Sequence, residues 1–289
     1  MACPRSPPLV TMTVVATYLD DILAHHRELA RQDKRSLEQL LSVARNSPPP
    51  RDFGEAIGSA GHQGRMALIA EVKRRSPSKG WISQDVSVVR QVKAYQDGGA
   101  SAISVLTDNE FFAGSAQDLT RAKASCSLPI LRKDFTVSAK DIADARIMGA
   151  DAILLIVAAL SASELKEFIE LATELELDCL VEVHHEQELE VALECGARII
   201  GVNQRDLNSF KVDTQRAERM APLIPTECLS VAESGITGPS DLVRLCKAGF
   251  GAALIGELLM RSADPSRALR VMLETLRDPD TEPMREAVS

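Results

Sequence analysis

Eight short β-rich runs alternate with amphipathic helical segments, and a glycine-bearing segment returns four times at nearly constant spacing. Polar residues also gather at the C-terminal ends of the β-rich runs. Together these predict an α/β fold, a (β/α)8 TIM barrel with an N-terminal helical extension. The 289 residues suit one such domain, which typically takes about 250. The expected organisation is a disordered leader over 1–15, a single barrel domain over 16–276 and a flexible tail over 277–289. Within the domain, 16–65 is read as the helical extension and 66–276 as the barrel.

The leader carries one Arg and three Pro, with no apolar run long enough for a signal peptide or a membrane span. In the extension, Leu19, Ile22, Leu23, Leu29 and Ala30 fall on one helical stripe, which Leu37, Leu40, Leu41 and Ala44 continue. Pro48–Pro50 end it, because proline lacks a backbone donor and clashes with the preceding turn. The extension reads as a lid or plug for the barrel.

Strands are expected at 67–73, 102–107, 130–133, 152–157, 179–184, 199–203, 229–233 and 252–256, with helical segments such as 88–96, 139–148, 163–175, 187–195 and 241–248 between them. The repeat reads GGASAISV, MGADAILL, CGARIIGV and AGFGAALIG, before strands two, four, six and eight. Its glycines, Gly99, Gly149, Gly196 and Gly249, are separated by 50, 47 and 53 residues. A glycine there supplies the left-handed conformation that ends a helix before the next strand. The period therefore marks a βαβα unit used four times; a doubly wound open sheet predicts no such regularity.

A formal net charge of -8 argues against a non-specific grip on nucleic acid or anionic membrane, yet leaves room for a local anion site. The six cysteines show no CxxC pair and no metal-ligand spacing with histidine, so they read as free thiols in a reducing, cytoplasmic compartment.

Strand residues two apart share a face. Ile69, Glu71 and Lys73 therefore point one way on the first strand, and Leu180, Glu182 and His184 on the fifth. Lys133, Asn203 and Glu233 end strands three, six and seven, with Arg205 two residues beyond Asn203. The outer face must be apolar to meet the helices, so six charged groups, Glu71, Lys73, Lys133, Glu182, Arg205 and Glu233, are expected to converge inside the mouth. Ion pairs that merely fill the barrel top would explain any one of them. All six at the strand ends where barrel active sites sit point instead to catalysis.

Two further loops suggest phosphate. Ser234-Gly235-Ile236 follows strand seven and Gly256-Glu257 follows strand eight, positions where barrels present backbone N–H groups to an anion. Each glycine alone reads as a turn residue; the combination favours an anion site. The loop Arg74–Gly80, with Ser76, adds a hydroxyl and positive potential.

The same segments carry a family resemblance. IAEVKRRSPSKG, SVLTDNEFFAGS, PILRKDF, LVEVH, IIGVNQRDL, VAESGI and LIGELLM, in this order, resemble the motifs of indole-3-glycerol phosphate synthase, from the N-terminal helices to the last barrel helix. The resemblance implies ring closure of 1-(2-carboxyphenylamino)-1-deoxyribulose 5-phosphate with loss of carbon dioxide and water, using no metal and no organic cofactor. It implies Lys133 as general acid for ring closure, and Lys73 as partner of the substrate carboxylate and donor to the departing hydroxyl. Glu182 becomes the dehydration base, with Glu71 and Asn203 positioning groups and Arg205 and Glu233 completing the polar network. Phosphate is implied near Ser76, Ser234, Gly235, Gly256 and the backbone of Glu257, whose carboxylate departs from the small residue common there. Phe112 and Phe135 are candidate walls for the anthranilate ring, against ordinary core packing. A lysine among other cations and apolar walls can have its pKa lowered toward a useful range. His184 and His185 read first as groups that orient or cap the following helix, with a catalytic role as the lesser reading. The expected partner is a small phosphorylated substrate, with no nucleic acid and no membrane, and the expected state is a monomer. A related phosphosugar barrel, phosphoribosylanthranilate isomerase, would need a Cys/Asp-type acid–base pair. A catalytically dead barrel would lack a charged site residue, and none is missing.

Overall fold

Eight runs of alternating inward and outward side chains close on themselves because each has an apolar outer face to bury under a helix. In the computed structural model, which describes residues 17–62, 66–207 and 209–277, they are β1 (Ala67–Val72), β2 (Ala102–Leu106), β3 (Ile130–Lys133), β4 (Ala152–Ile156), β5 (Asp178–Val183), β6 (Ile199–Asn203), β7 (Leu229–Glu233) and β8 (Ala252–Ile255). Each pairs in parallel with the next in sequence, and β8 returns to β1 with Ala70 opposite Ile255. The expected (β/α)8 barrel is the fold, with strand ends within a residue of the expected ones. The expected leader over 1–15 lies outside the described residues, as does 278–289 of the expected tail; Arg277, its first residue, ends a helix.

Alternation sorts the core in two. Ala67, Ile69, Leu131, Leu180, Ile199 and Val231 fill the barrel interior, while Leu68, Ala70, Val72, Val181 and Val183 face the surrounding helices. The outer ring is α4 (Val88–Asp97), α5 (Ala116–Ser125), α6 (Ala139–Met148), α7 (Ala162–Glu174), α8 (Glu186–Glu194), the short α9 (Arg216–Met220), α10 (Pro239–Lys247), the short α11 (Glu257–Arg261) and α12 (Pro265–Arg277). Ser87, Ser115, Ser138 and Ser161 each accept a backbone N–H from the first turn of the helix that follows.

The glycine repeat does what its spacing implies. Gly99, Gly149, Gly196 and Gly249 have φ of 90, 90, 90 and 105°. The next residue in each case donates back five positions, Ala100 to Tyr95, Ala150 to Ala145, Ala197 to Ala192 and Phe250 to Leu245, at 2.9–3.1 Å. This is one helix-ending hydrogen-bond pattern made four times.

The N-terminal segment is less regular than its stripe suggests. It forms α1 (Tyr18–Gln32), α2 (Leu37–Arg45) and α3 (Phe53–His62). Leu19 and Ile22 are buried as expected, but Leu29 is 51% exposed, because the first turns of α1 cover the barrel mouth with apolar groups whereas its later turns are fastened by the polar His26 and Arg27. The stripe also breaks between α1 and α2, and Leu40, Leu41 and Ala44 join the outer core. The three prolines do not end the helical segment; α3 follows them, and its Phe53 and Ile57 seal the N-terminal end of the barrel at 0% and 1% exposure. Its Gly54 N–H donates to Asp178 Oδ2, 2.8 Å away, at the start of β5. Among the described residues no helix is long and apolar enough to cross a membrane.

Candidate active site

The strands deliver their last inward residues to one cavity of about 860 Å³ at the C-terminal end of the barrel. All fourteen candidate residues line it: Glu71, Lys73, Ser76, Phe112, Lys133, Phe135, Glu182, Asn203, Arg205, Glu233, Ser234, Gly235, Gly256 and Glu257.

Its centre is a buried charge network. Lys133 Nζ donates to Glu182 Oε2 at 3.0 Å and to Glu233 Oε2 at 2.9 Å. Asn203 Nδ2 donates to Glu182 Oε1 at 3.0 Å. Beside them Lys73 pairs with Glu71. Among the described residues, Arg205 joins this network through its backbone alone. Its backbone N–H meets Asn203 Oδ1 and its Nη1 donates to the Phe210 carbonyl, so it reaches the cavity wall rather than its floor.

Lys133 does not have the lowered pKa that a lysine among cations would have. Burial pulls the ammonium down, but Glu182, Glu233 and Glu71 outweigh it and hold the group above the ordinary lysine value. The neighbours of this lysine are three carboxylates, not cations, so it is an ammonium across the neutral range. For Glu182, burial acts upward, yet Lys133, His184 and Asn203 bring its carboxyl below the usual range. Glu233 goes the other way: burial and the Glu182 charge outweigh Lys133 and push it up to about 7.

At the β7–β8 side, Ser234 (φ 64°) and Gly235 (φ 72°) both occupy the left-handed region, turning the chain sharply after Glu233. The buried Gln204 holds that turn, its Nε2 donating to the Ser234 carbonyl at 2.7 Å. Gly256 has a second role beyond any anion contact. A Cβ there would fall 2.2 Å from Glu71 Oε2 and 3.2 Å from Lys73 Nζ, so the missing side chain makes room for that ion pair. The Glu257 carboxylate turns to Arg261 Nε at 3.2 Å.

Much of the remaining lining is apolar. Leu106, Leu154, Ile156 and Leu254 point inward beside Phe112 and Phe135, whose ring centroids lie 6.3 Å apart. The helix α1 roofs this side with Tyr18, Leu19 and Ile22. Tyr18 meets Phe111 and Phe210 edge-on at 5.9 and 5.1 Å, and Arg27 donates to the Val137 and Ala159 carbonyls and to Glu164.

His26, Asp108 and Asp134 bring three metal-capable atoms within 4.8 Å of one another. Each is already engaged. His26 Nε2 lies 2.8 Å from Asp108 Oδ2, Asp108 Oδ1 accepts the Phe111 and Phe112 N–H groups, and Asp134 pairs with Arg132 at 3.0 Å. A dication would face the Arg132 guanidinium, so the group fits a latch that fastens α1 better than a metal centre.

His185 caps α8, accepting the Glu188 N–H at 3.3 Å, as expected. His184 bonds Glu188 of the same helix through its backbone N–H and Nδ1, which ties the helix to the strand end as expected, and its other ring nitrogen lies buried behind Glu182. The α1 residues of the roof were missed, since a stripe shows that a helix has a buried face without showing what it covers. Leu106, Leu154 and Leu254 were legible in principle, because strand parity puts them on the inner face.

The family model described as Indole-3-glycerol phosphate synthase matches residues 19–272. Among similar proteins, the indole-3-glycerol phosphate synthase of Chloroherpeton thalassium is 47% identical over 248 residues, 85% of this chain and 95% of that protein. The indole-3-glycerol phosphate synthase 2 of Streptomyces coelicolor is 45% identical, covering 83% and 92%, and the Mycobacterium bovis synthase is 44% identical, covering 88% and 93%. A solved thiamine phosphate pyrophosphorylase from Pyrococcus furiosus superposes with a TM-score of 0.56 at 16% identity, over 75% of this chain and 96% of that one, a likeness of fold alone.

Proposed function

The chain belongs to the indole-3-glycerol phosphate synthase family, and from that premise we propose how its own side chains divide the reaction. It is a decarboxylating lyase of tryptophan biosynthesis that acts on a small phosphorylated substrate. Ring closure joins the aromatic carbon bearing the carboxylate to the ribulose carbonyl carbon. Negative charge develops on that carbonyl oxygen, and Lys133 supplies the proton. Carbon dioxide leaves, and loss of water completes the pyrrole ring.

The observation that carries this reading is Lys133 held between Glu182 and Glu233 at 3.0 and 2.9 Å, a fixed ammonium in a buried site where a developing oxyanion is strongly stabilised. Lys73, at the other side of the floor, pairs with the substrate carboxylate and then protonates the departing hydroxyl. Glu182, kept as a carboxylate, takes the proton lost in dehydration, with Glu71 and Asn203 positioning the groups around it. The phosphate sits at the Ser234–Gly235 turn and the Gly256–Glu257 backbone, with Ser76 and Arg205 nearby. Glu257 contributes only its N–H, since its carboxylate belongs to Arg261. Phe112 and Phe135 bound the anthranilate ring. The residues call for no metal or organic cofactor.

The enzyme works as a monomer in the cytoplasm, with no nucleic-acid partner. Free cysteines at all five described positions suit a reducing compartment, and the exposed large apolar residues Leu29, Val43, Trp81, Ile147, Val212 and Leu223 lie on different elements.

Purified protein given the carboxyphenylamino-deoxyribulose phosphate without added metal should develop indole fluorescence. Lys133→Ala should lower kcat by about 10²-fold or more, with much less change in substrate Kd, because the ammonium acts on charge that appears in the transition state. Near-native kcat in that variant would remove Lys133 from the mechanism.

A further inference from the structure

The β5 alternation that aims Leu180 and Glu182 inward continues one residue past the strand, to His184. This ring is buried at 9% exposure, and its two nitrogens face two carboxylates. Nδ1 lies 3.1 Å from Glu188 Oε2 on α8, the same oxygen that accepts the His184 backbone N–H at 2.6 Å. Nε2 lies 3.4 Å from Glu182 Oε1 and, among the described residues, has no hydrogen-bond partner. A buried N–H left without an acceptor is costly, so its aim at a carboxylate a few tenths of an ångström beyond bonding reach needs a reason.

We infer that His184 is a positioning residue for the reaction: anchored by Glu188, its imidazolium stands behind the Glu182 carboxylate, keeps it ionised and closes on Oε1 as that carboxylate works. The inference deepens the reading of Glu182 as the dehydration base and rests on it.

The charges around the ring agree. Glu182 on its own strand and Glu188 on α8 both face it, and His185 also lies against Glu188, 3.2 Å from Oε1. The segment Val157–Ala159, which packs against β5, offers no ionisable group, and β6 offers only the neutral Asn203. Lys133 and Glu233 act on Glu182 from the far side. Burial opposes the charged ring, but Glu182 and Glu188 together hold it up to about 9, so the imidazolium persists at neutral pH. Asn203 and Lys133 already orient Glu182 from two sides, and His184 holds a further positive charge within reach of Oε1.

A cation beside a carboxylate lowers the carboxyl pKa, so removing it raises that pKa and delays the appearance of the base as pH climbs. His184→Gln keeps a side-chain N–H donor and deletes the charge. It should leave KM within about twofold and move the acid limb of the kcat profile up by about one pH unit, so that the loss is about 10-fold on that limb and vanishes toward neutral pH, where Glu182 is ionised in both proteins. A uniform loss at every pH, or an unmoved profile, overturns the inference. If the variant fails to fold, NMR titration of the His184 ring in the native protein decides: it should remain protonated past pH 8 and titrate at least about one unit lower in Glu182→Gln. A ring neutral at pH 7, or indifferent to Glu182, overturns the inference as well. Near-native kcat in Glu182→Gln sinks the underlying reading instead, and the two failures are separable.

Discussion

At the scale of single residues, the site is governed by contacts that cross large stretches of sequence. Lys133 and its two carboxylates are 49 and 100 residues apart, so parity could send each into the barrel but could not say which charges would touch. Three charges of each sign were expected to converge, and the structure shows which of them Lys133 touches, Glu182 and Glu233. Gly256 makes the same point. It was assigned to an anion loop from its place after β8, whereas its lack of a Cβ also accommodates Glu71, across the β1–β8 closure. Two glycines should therefore fail differently. Gly256→Ala should displace the Glu71–Lys73 pair and cut kcat by about 10-fold or more, since small misplacements of catalytic groups are expensive. Gly249→Ala, at φ 105° with nothing within 4 Å of its Cβ, should cost about 1 kcal/mol of stability and leave kcat alone. Equal kcat losses in the two variants would show that Gly256 is only a turn.

At the scale of elements, the strands and the glycine repeat were legible because both are local: alternation fixes a face over four to six residues, and a left-handed glycine ends a helix wherever it stands. The helix α3 was missed, although Asp52 followed by Glu55 three residues on is a local sign of a helix start. It begins just after the prolines expected to end the helical segment, and Phe53 and Ile57, its fully buried residues among the described ones, are too few to show a period. Asp52 caps its first turn locally, accepting the Glu55 N–H at 2.7 Å, and the Asp178 carboxylate at the foot of β5 docks that turn on the barrel by accepting the Gly54 N–H. Asp178→Ala should thus cost about 1–2 kcal/mol in denaturant unfolding, while Asp178→Asn, which keeps an acceptor, should cost less. Both should retain native kcat, because α3 closes the end of the barrel opposite the cavity. A fall in kcat without a fall in stability would mean that the plug communicates with the mouth.

At the scale of the whole molecule, the barrel separates what makes it stable from what makes it react. One end is sealed by Phe53 and Ile57; the other buries Glu71, Glu182 and Glu233 around Lys133, with Lys73 beside them. Three carboxylates share a space that a purely stabilising core would fill with apolar side chains, so this end should carry a stability cost that depends on pH. Glu233 reads that cost out. Its folded value of about 7 lies above its ordinary 4.5, so the fold favours the protonated form and ionisation destabilises it. The cost is absent below the ordinary value, develops between 4.5 and 7, and is complete above 7. Gln in place of Glu233 mimics the protonated acid and cannot ionise. Glu233→Gln should therefore gain on the native chain as pH rises, by about 1–3 kcal/mol between pH 4.5 and 8. It should lose turnover at the same time, because Lys133 keeps only Glu182 as its close partner. Thermal unfolding at both pH values checks the first effect and steady-state kinetics the second. A variant that gains no stability at high pH would mean the ion pair with Lys133 offsets the crowding in full, and the charge at the mouth would then cost the fold nothing.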